Sequence, residues 1–267
     1  MPVPAATVIL VRERRPGADV EVFLVRRHRR SQFMSDAFVF PGGKIDDGDG
    51  SGEIAAIREC FEEAGILLAR GTPPADLAEW RRRLNAREIG FREVLAAGPL
   101  EPDVARLHLW ARWVTPSVEP KRFDARFYLA EAPPGAEAST DSKETTEVVW
   151  LTPEEALTQH RDERLRLPPP QVKTLTELLP YAPSGLAAVA EAAARRTPNV
   201  DPVLPRFADL DGKVMLLLPW DPDYDRAGVG DGMPLARGHF LAGGPSRFVL
   251  EGMTWRLEYA PGSLHAG

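Results

Sequence analysis

One run of 27 residues, FPGGKIDDGDGSGEIAAIRECFEEAGI at positions 40–66, constrains this chain more than any other. At about 100° per residue, Glu59, Glu62 and Glu63 share one face of a helix, while Ile54, Ile57, Cys60 and Phe61 share the opposite face. The apolar face anchors the helix and the carboxylates converge. Carboxylate oxygens suit Mg²⁺ or Mn²⁺, and Mg²⁺ takes a few carboxylates plus waters and substrate phosphates in preference to an all-protein cage. The three acids therefore point to a hard divalent cation and a phosphate-bearing ligand. Gly42 and Gly43 follow the apolar stretch 37–40, as expected where a strand ends in a tight loop whose backbone approaches a ligand. Gly65 sits where a helix C-cap belongs.

An E-x-x-E-E run by itself also fits an ordinary solvated helix, and it is the flanking glycines and Arg58 that set this one apart. With them the chain resembles the nudix hydrolases, whose signature reads G, five residues, E, seven residues, R-E-U-x-E-E-x-G-U, with U apolar. From Arg58 to Ile66 the match is complete. Upstream, Asp49 replaces the glutamate, and eight residues instead of seven separate it from Arg58. The resemblance implies an α/β nudix fold, a mixed β-sheet sandwiched between helices, and Mg²⁺ or Mn²⁺ as cofactor. It implies that Arg58, Glu59, Glu62 and Glu63 are the catalytic set, with the Gly43 carbonyl completing the metal ligands. Arg58 would hold Glu59 or a neighbouring carboxylate in place. One box glutamate, or an acid from a late loop, would take the proton of the attacking water; Glu144 and Glu147, near the start of the strand leading to Trp150, are the late candidates for base or ligand.

Composition bounds the remaining possibilities. The 267 residues are 43% hydrophobic and 27% charged, with a net charge of -6 and a pI near 5.5, which fits a soluble globular enzyme of one sizeable domain plus an appendage. The acidic balance argues against nucleic acid as a partner and leaves a small nucleotide diphosphate. No apolar run is long enough to span a bilayer, and no basic region precedes the apolar N-terminal segment, so no membrane association and a cytoplasmic location are expected. A single cysteine forms no intrachain disulfide, and Cys60, at an apolar helix position, reads as a packed thiol.

Along the chain, 5–11 and 20–25 read as strands of a hairpin turning at Arg15-Pro16-Gly17, and 37–40 as a third strand. Between them lies Arg26-Arg27-His28-Arg29-Arg30, the densest basic cluster, whose Arg27 and Arg29 suit an anionic phosphate. Residues 73–96 read as two helical segments inside an insertion at about 70–104. Strands at 107–114 and 125–129 flank the loop TPSVEPKRFD, which carries Lys121 and Arg122, again candidates for substrate phosphate. A short strand at 147–151 precedes Thr152-Pro153-Glu154-Glu155, a helix start with N-cap, N1 proline and N3 acid in place.

WVTPSVEPKRFDARFYLA, ETTEVVWLTPEEAL and LPPP narrow the resemblance, over about residues 3–181, to the nudix branch typified by peroxisomal acyl-coenzyme A diphosphatases and their bacterial relatives. That branch implies hydrolysis of the pyrophosphate of coenzyme A or its thioesters to 3',5'-ADP and a 4'-phosphopantetheine. The coenzyme A signature of other nudix families is absent, and FLVRRHRRSQFMSDAFVFPGG occupies its place. The alternative substrates are ADP-ribose, NADH or dinucleoside polyphosphates, and a non-catalytic nucleotide sensor is the alternative class. A complete box and no helix-turn-helix pattern favour catalysis.

The character changes after Pro183. An alanine-rich helix at 184–196 and strands and turns from 203 on, with an apolar run at 214–218 and alternation at 248–259, divide the chain into a domain at 1–183 and a small, mostly-β appendage at 184–267. A lid or a homodimer contact is the expected role of the appendage. Asp221, Asp223 and Asp225 mimic an EF-hand opening, but Arg226 and Gly232 replace its required glycine and glutamate. Gly228, Gly230 and Gly232 imitate a dinucleotide loop without the strand and helix it needs. The five histidines have no metal-ligand spacing.

Overall fold

The computed structural model describes the chain except for residues 18, 29–35, 141–144, 197–199, 237–238, 243 and 262–267. Strands β1 (Val3–Glu13) and β2 (Val20–Arg27) form the expected antiparallel hairpin, pairing Val11 with Val22. Both run longer than the alternation alone suggested. The third strand shrinks to β3 (Phe38–Val39), because Pro41 has no N–H to continue a ladder, and β4 (Gly42–Lys44) follows. The edge of β1 is split. Ala5–Thr7 pair with Lys44–Gly42 of β4, residues 11–13 pair with β2, and the Val8 amide between them donates to Pro41 O at 2.9 Å. That split admits the glycine loop into the sheet.

The box helix is α1 (Gly52–Ala64). Ser51 caps it by accepting from the Ile54 amide, and Gly65 ends it in the left-handed region at φ 73°. A short ladder of β5 (Ala69–Arg70) with β6 (Glu101–Pro102) closes the insertion around α2 (Leu77–Asn85) and α3 (Phe91–Ala96). Then come β7 (His108–Val114), β8 (Phe123–Glu131), β9 (Thr145–Leu151), α4 (Pro153–Arg161) and α5 (Pro169–Leu178). Thr152 and Glu155 form the anticipated capping box on α4. In the main sheet the order is β10 (Pro202–Val203), β7, β8, β1, β2, β3, with β4 on β1 and β9 on β2; β8 runs parallel to β1 and makes the sheet mixed.

Alternation along the strands sends side chains to two cores. Ala6, Val8, Leu10, Phe23 and Val25 face α1 and the insertion, while Ile9, Val11, Val22 and Leu24 face α4 and α5. The second core is shared with residues after Pro183. Helix α6 (Leu186–Arg196) lies on β7, and β10 (Pro202–Val203) extends the main sheet beside Arg112 and Trp113. A second sheet follows: β11 (Arg206–Leu210), β12 (Lys213–Leu217), then, past the short α7 (Tyr224–Ala227), β13 (Arg247–Glu251) and β14 (Thr254–Glu258). The 248–259 alternation is a hairpin turning at Gly252. Leu216 and Phe248 join the shared core, while Ala208, Met215 and Val249 form a separate cluster on the outer face.

Two polar hubs tie this segment down. Trp110 Nε1, Lys173 Nζ and Arg196 Nη1 all donate to the Glu177 carboxylate, at 3.1, 2.6 and 2.7 Å, linking β7, α5 and α6. Burial pushes the Glu177 carboxyl up, but Lys173 and Arg196 more than reverse it and hold it below the usual range. His160 of α4 accepts from the Leu167 amide through Nδ1 (3.1 Å), so its Nε2–H donates to Trp255 O of β14 at 2.9 Å. Burial favours the neutral ring and lowers the His160 pKa.

A depressed histidine pKa stabilises the fold fully above the unfolded value of about 6.5, and that stability is lost as pH falls through the folded value. Urea midpoints of the protein will therefore fall between pH 7.5 and 5.5 by more than those of His160→Gln, which cannot titrate. Parallel pH dependence in the two proteins would remove His160 as the source.

Candidate active site

The box loop and helix are joined through one buried cation. Arg58 Nε and Nη2 donate to the two Asp49 oxygens at 2.8 and 2.9 Å, and Nη2 also donates to Lys44 O at 2.9 Å. Nη1 reaches Glu59 Oε1 at 2.8 Å and Glu62 Oε2 at 3.2 Å. Burial opposes the guanidinium charge, but Asp49, Glu59 and Glu62 outweigh it and keep Arg58 protonated. The position that departs from the nudix pattern thus makes the Arg58 contact in full. Asp49 lacks one methylene of the pattern's glutamate, and the extra loop residue carries it in.

The carboxylates are fixed from both sides. Glu63, only 4% exposed, accepts from the Gly42 amide at 3.0 Å. The Gly43 backbone lies so close to Glu59 that a Cβ there would overlap its carboxylate. Burial raises the Glu62 pKa above the ordinary range, with Arg58 partly countering it. Cys60 behind them is fully buried, and burial pushes its thiol up to about 12, so it is a packing group.

Among the described residues, no three such side chains are gathered about a single ion position, because Glu59 and Glu62 rest on Arg58 and Glu63 on the loop. The donor set itself suits a hard divalent ion: oxygen only, partly exposed, beside a glycine backbone with no side chain in the way.

The acids line a cleft of about 1530 Å³. Its walls come from β4, α1, the α2–α3 insertion, β7, β8, the start of α5 and the C-terminal sheet. Of the predicted substrate residues, Arg27 and Lys121 line it. A register shift at Arg26/Arg27 re-aims the end of β2, and the Arg27 Nε is buried without a hydrogen-bond partner among the described residues. Lys121 is exposed, with its ammonium 5.5 Å from the Phe123 ring. Arg122 is turned to a structural task, its Nε donating to Thr115 O across the β7–β8 loop at 3.0 Å. Glu147 is not brought to the cleft; it pairs with Arg26 at 3.1 Å. Arg29 and Glu144 lie outside the described residues.

Two residues absent from the sequence expectations support the site. Arg81 of α2 donates to Glu62 O through Nε (3.0 Å) and Nη2 (2.9 Å), and Asn85 Nδ2 adds a third bond to the same oxygen at 3.1 Å. A cation on the last-turn carbonyls also complements the helix dipole. No local pattern marks either residue, since the contact exists only once the insertion folds back on α1.

Removing one partner of a buried ion pair costs about 3–5 kcal/mol, so Asp49→Ala will lower unfolding free energy by roughly 3 kcal/mol in urea titration; an unchanged midpoint would show that the pair is dispensable. The two glycines will differ. A Cβ at Gly42 meets Ala6 O at 2.6 Å and Thr7 Cα at 2.7 Å, both backbone, so Gly42→Ala will destabilise the fold. At Gly43 the obstacle is the movable Glu59 carboxylate, so Gly43→Ala will displace it and cut turnover while the urea midpoint stays. Equal midpoints for the two variants would contradict this.

Comparison with known proteins agrees with this geometry. Residues 51–178 match the NUDT19 Nudix domain family. The chain is 28% identical over 233 residues to the acyl-coenzyme A diphosphatase NUDT19 of Xenopus laevis, covering 62% of this chain and 61% of that protein. To the human protein of the same name it is 34% identical over 149 residues, covering 48% and 39%. It spans less than two thirds of the length of either relative. A NUDIX hydrolase structure from Alicyclobacillus acidocaldarius superposes with a TM-score of 0.62 at 26% identity, covering 72% of this chain and 96% of that one. The fold is that of the nudix hydrolases, residues 51–178 match a nudix domain, and the sequence resembles the acyl-coenzyme A diphosphatase branch of that superfamily.

Proposed function

We propose that the protein hydrolyses the pyrophosphate linkage of coenzyme A or an acyl-coenzyme A. The observation that carries this reading is the acid set lining the cleft, held by the buried Arg58–Asp49 pair. The names of the relatives support the substrate class. Glu59, Glu62, Glu63 and the Gly43 carbonyl would hold Mg²⁺ or Mn²⁺, which when bound neutralises phosphate charge and acidifies water. Arg58 sets the orientation of Glu59 and Glu62 through Nη1. Glu63, tied to the Gly42 amide, holds the loop at a fixed distance from the helix. Glu62 is the more exposed of the two acids on Arg58, at 25% of its side chain against 13% for Glu59, which supports assigning it the proton of the attacking water. Arg27 and Lys121 bring positive charge to the same cleft and would draw the phosphates into line. No helix among the described residues is long and apolar enough to cross a membrane.

Chromatography of reactions with coenzyme A, acetyl-coenzyme A, ADP-ribose, NADH and a dinucleoside polyphosphate tests this reading. Release of 3',5'-ADP from the coenzyme A species is expected; AMP from the others alone would shift the substrate class, and no product from any would overturn hydrolysis. EDTA should abolish turnover and added Mg²⁺ or Mn²⁺ restore it. Glu62→Gln and Glu63→Gln should each lower kcat by ~10²-fold or more, with urea midpoints almost unmoved because a glutamine oxygen still accepts a hydrogen bond. Full activity in both would remove the box from the chemistry.

A further inference from the structure

The cleft is larger than a nucleotide pyrophosphate requires. Ligand pockets commonly span about 300–1,000 Å³, against about 1530 Å³ here. Its charged lining residues come from the box, the end of β2, the insertion and the β7–β8 loop. The rest of the lining, here called the arm, is drawn from two apolar sheet faces. One is the main sheet, where Ala125 and Phe127 stand two residues apart on β8 and so on one face. The other is the C-terminal sheet, where Phe207 and Leu216 are register partners and Trp255 shares their face. Phe207, Trp255 and Ala125 are only partly buried, so water in this arm would lie against apolar surface.

A polar group interrupts the arm. Gln171, at the start of α5, lines the cleft and is 5% exposed, and its Oε1 has no hydrogen-bond partner among the described residues. Buried acceptors are almost always satisfied. The terminal torsion of glutamine is soft and roughly two-fold, so the amide can turn its oxygen to a donor in the cleft. Pro169 and Pro170 before it supply no amide N–H, which leaves the acceptor as the distinctive polar feature at that point.

We infer that this arm is the subsite for the substrate's tail, an apolar chain bearing amide N–H groups, walled by Phe207, Leu216 and Trp255 and hydrogen-bonded by Gln171. The inference rests on the proposed hydrolysis for the position of the head group and assigns the C-terminal sheet a part in specificity. Each methylene buried in such an arm is worth about a fourfold gain in affinity.

The test uses acetyl-, hexanoyl- and decanoyl-coenzyme A as probes, since these thioesters carry both amides and a graded alkyl chain. In the unaltered protein, kcat/KM should climb steeply from acetyl to decanoyl. Trp255→Gln and, from the opposite wall, Ala125→Trp should each reduce the decanoyl-to-acetyl ratio at least tenfold, and Gln171→Leu should weaken all three thioesters about five- to tenfold. Quenching of tryptophan fluorescence by decanoyl-coenzyme A in EDTA gives the same comparison without turnover. A flat chain-length series, or a ratio unmoved in both wall variants, would overturn the subsite while leaving hydrolysis intact. If no thioester is cleaved, the proposed reaction fails, and chain-length-dependent quenching lost in the wall variants would still support the arm, whereas quenching independent of length would overturn it.

Discussion

A guanidinium taken out of water must be surrounded by negative partners, and the way Arg58 meets that demand organises the front of the molecule. Its partners include Asp49, at the far end of the glycine loop, and Lys44 O at the near end. Satisfying both fixes the loop's path over the helix. The path brings Gly42 N–H to Glu63 and the Gly43 backbone against Glu59, which determines where the acids can stand. A neutral residue at position 58 would release the loop and the carboxylates together.

The rear of the helix is governed by the same logic through a second guanidinium. Arg81 and Asn85 converge on the Glu62 carbonyl, and Arg81 also reaches Ser139, whose amide donates to Ala64 O. The insertion therefore steadies the helix end that carries the acids. Because α3 and the α2–α3 turn also line the cleft, one inserted segment couples helix position to the shape of the binding surface.

Much of this was legible in the residues. The hairpin, the box helix with Gly65 at its end, and the capped start of α4 follow from local periodicity and cap chemistry, which do not depend on distant contacts. The Asp49 contact was obscured because spacing counts residues while the contact depends on reach, and a longer loop offset a shorter side chain. Helix α5 was not among the expected elements; its prolines occupy the first helical positions, which tolerate them. The roles of Arg81, Gln171 and Trp255 come from tertiary approach and leave no periodic trace. Arg122 and Glu147 show the converse: charge near the site in sequence that the fold commits to a loop carbonyl and to Arg26.

The two parts of the cleft lining are drawn from very different spans of chain. The acids and their loop come from residues 42–63, whereas the apolar walls need β8 and a hairpin whose last strand begins at Thr254. During synthesis the acids emerge long before the C-terminal wall. The face of the main sheet that carries Trp113, Phe127 and Val203 stays uncovered until almost the whole chain has emerged. Such a face is a liability for association between unfinished chains, and completing the wall of the cleft is the same event that removes it.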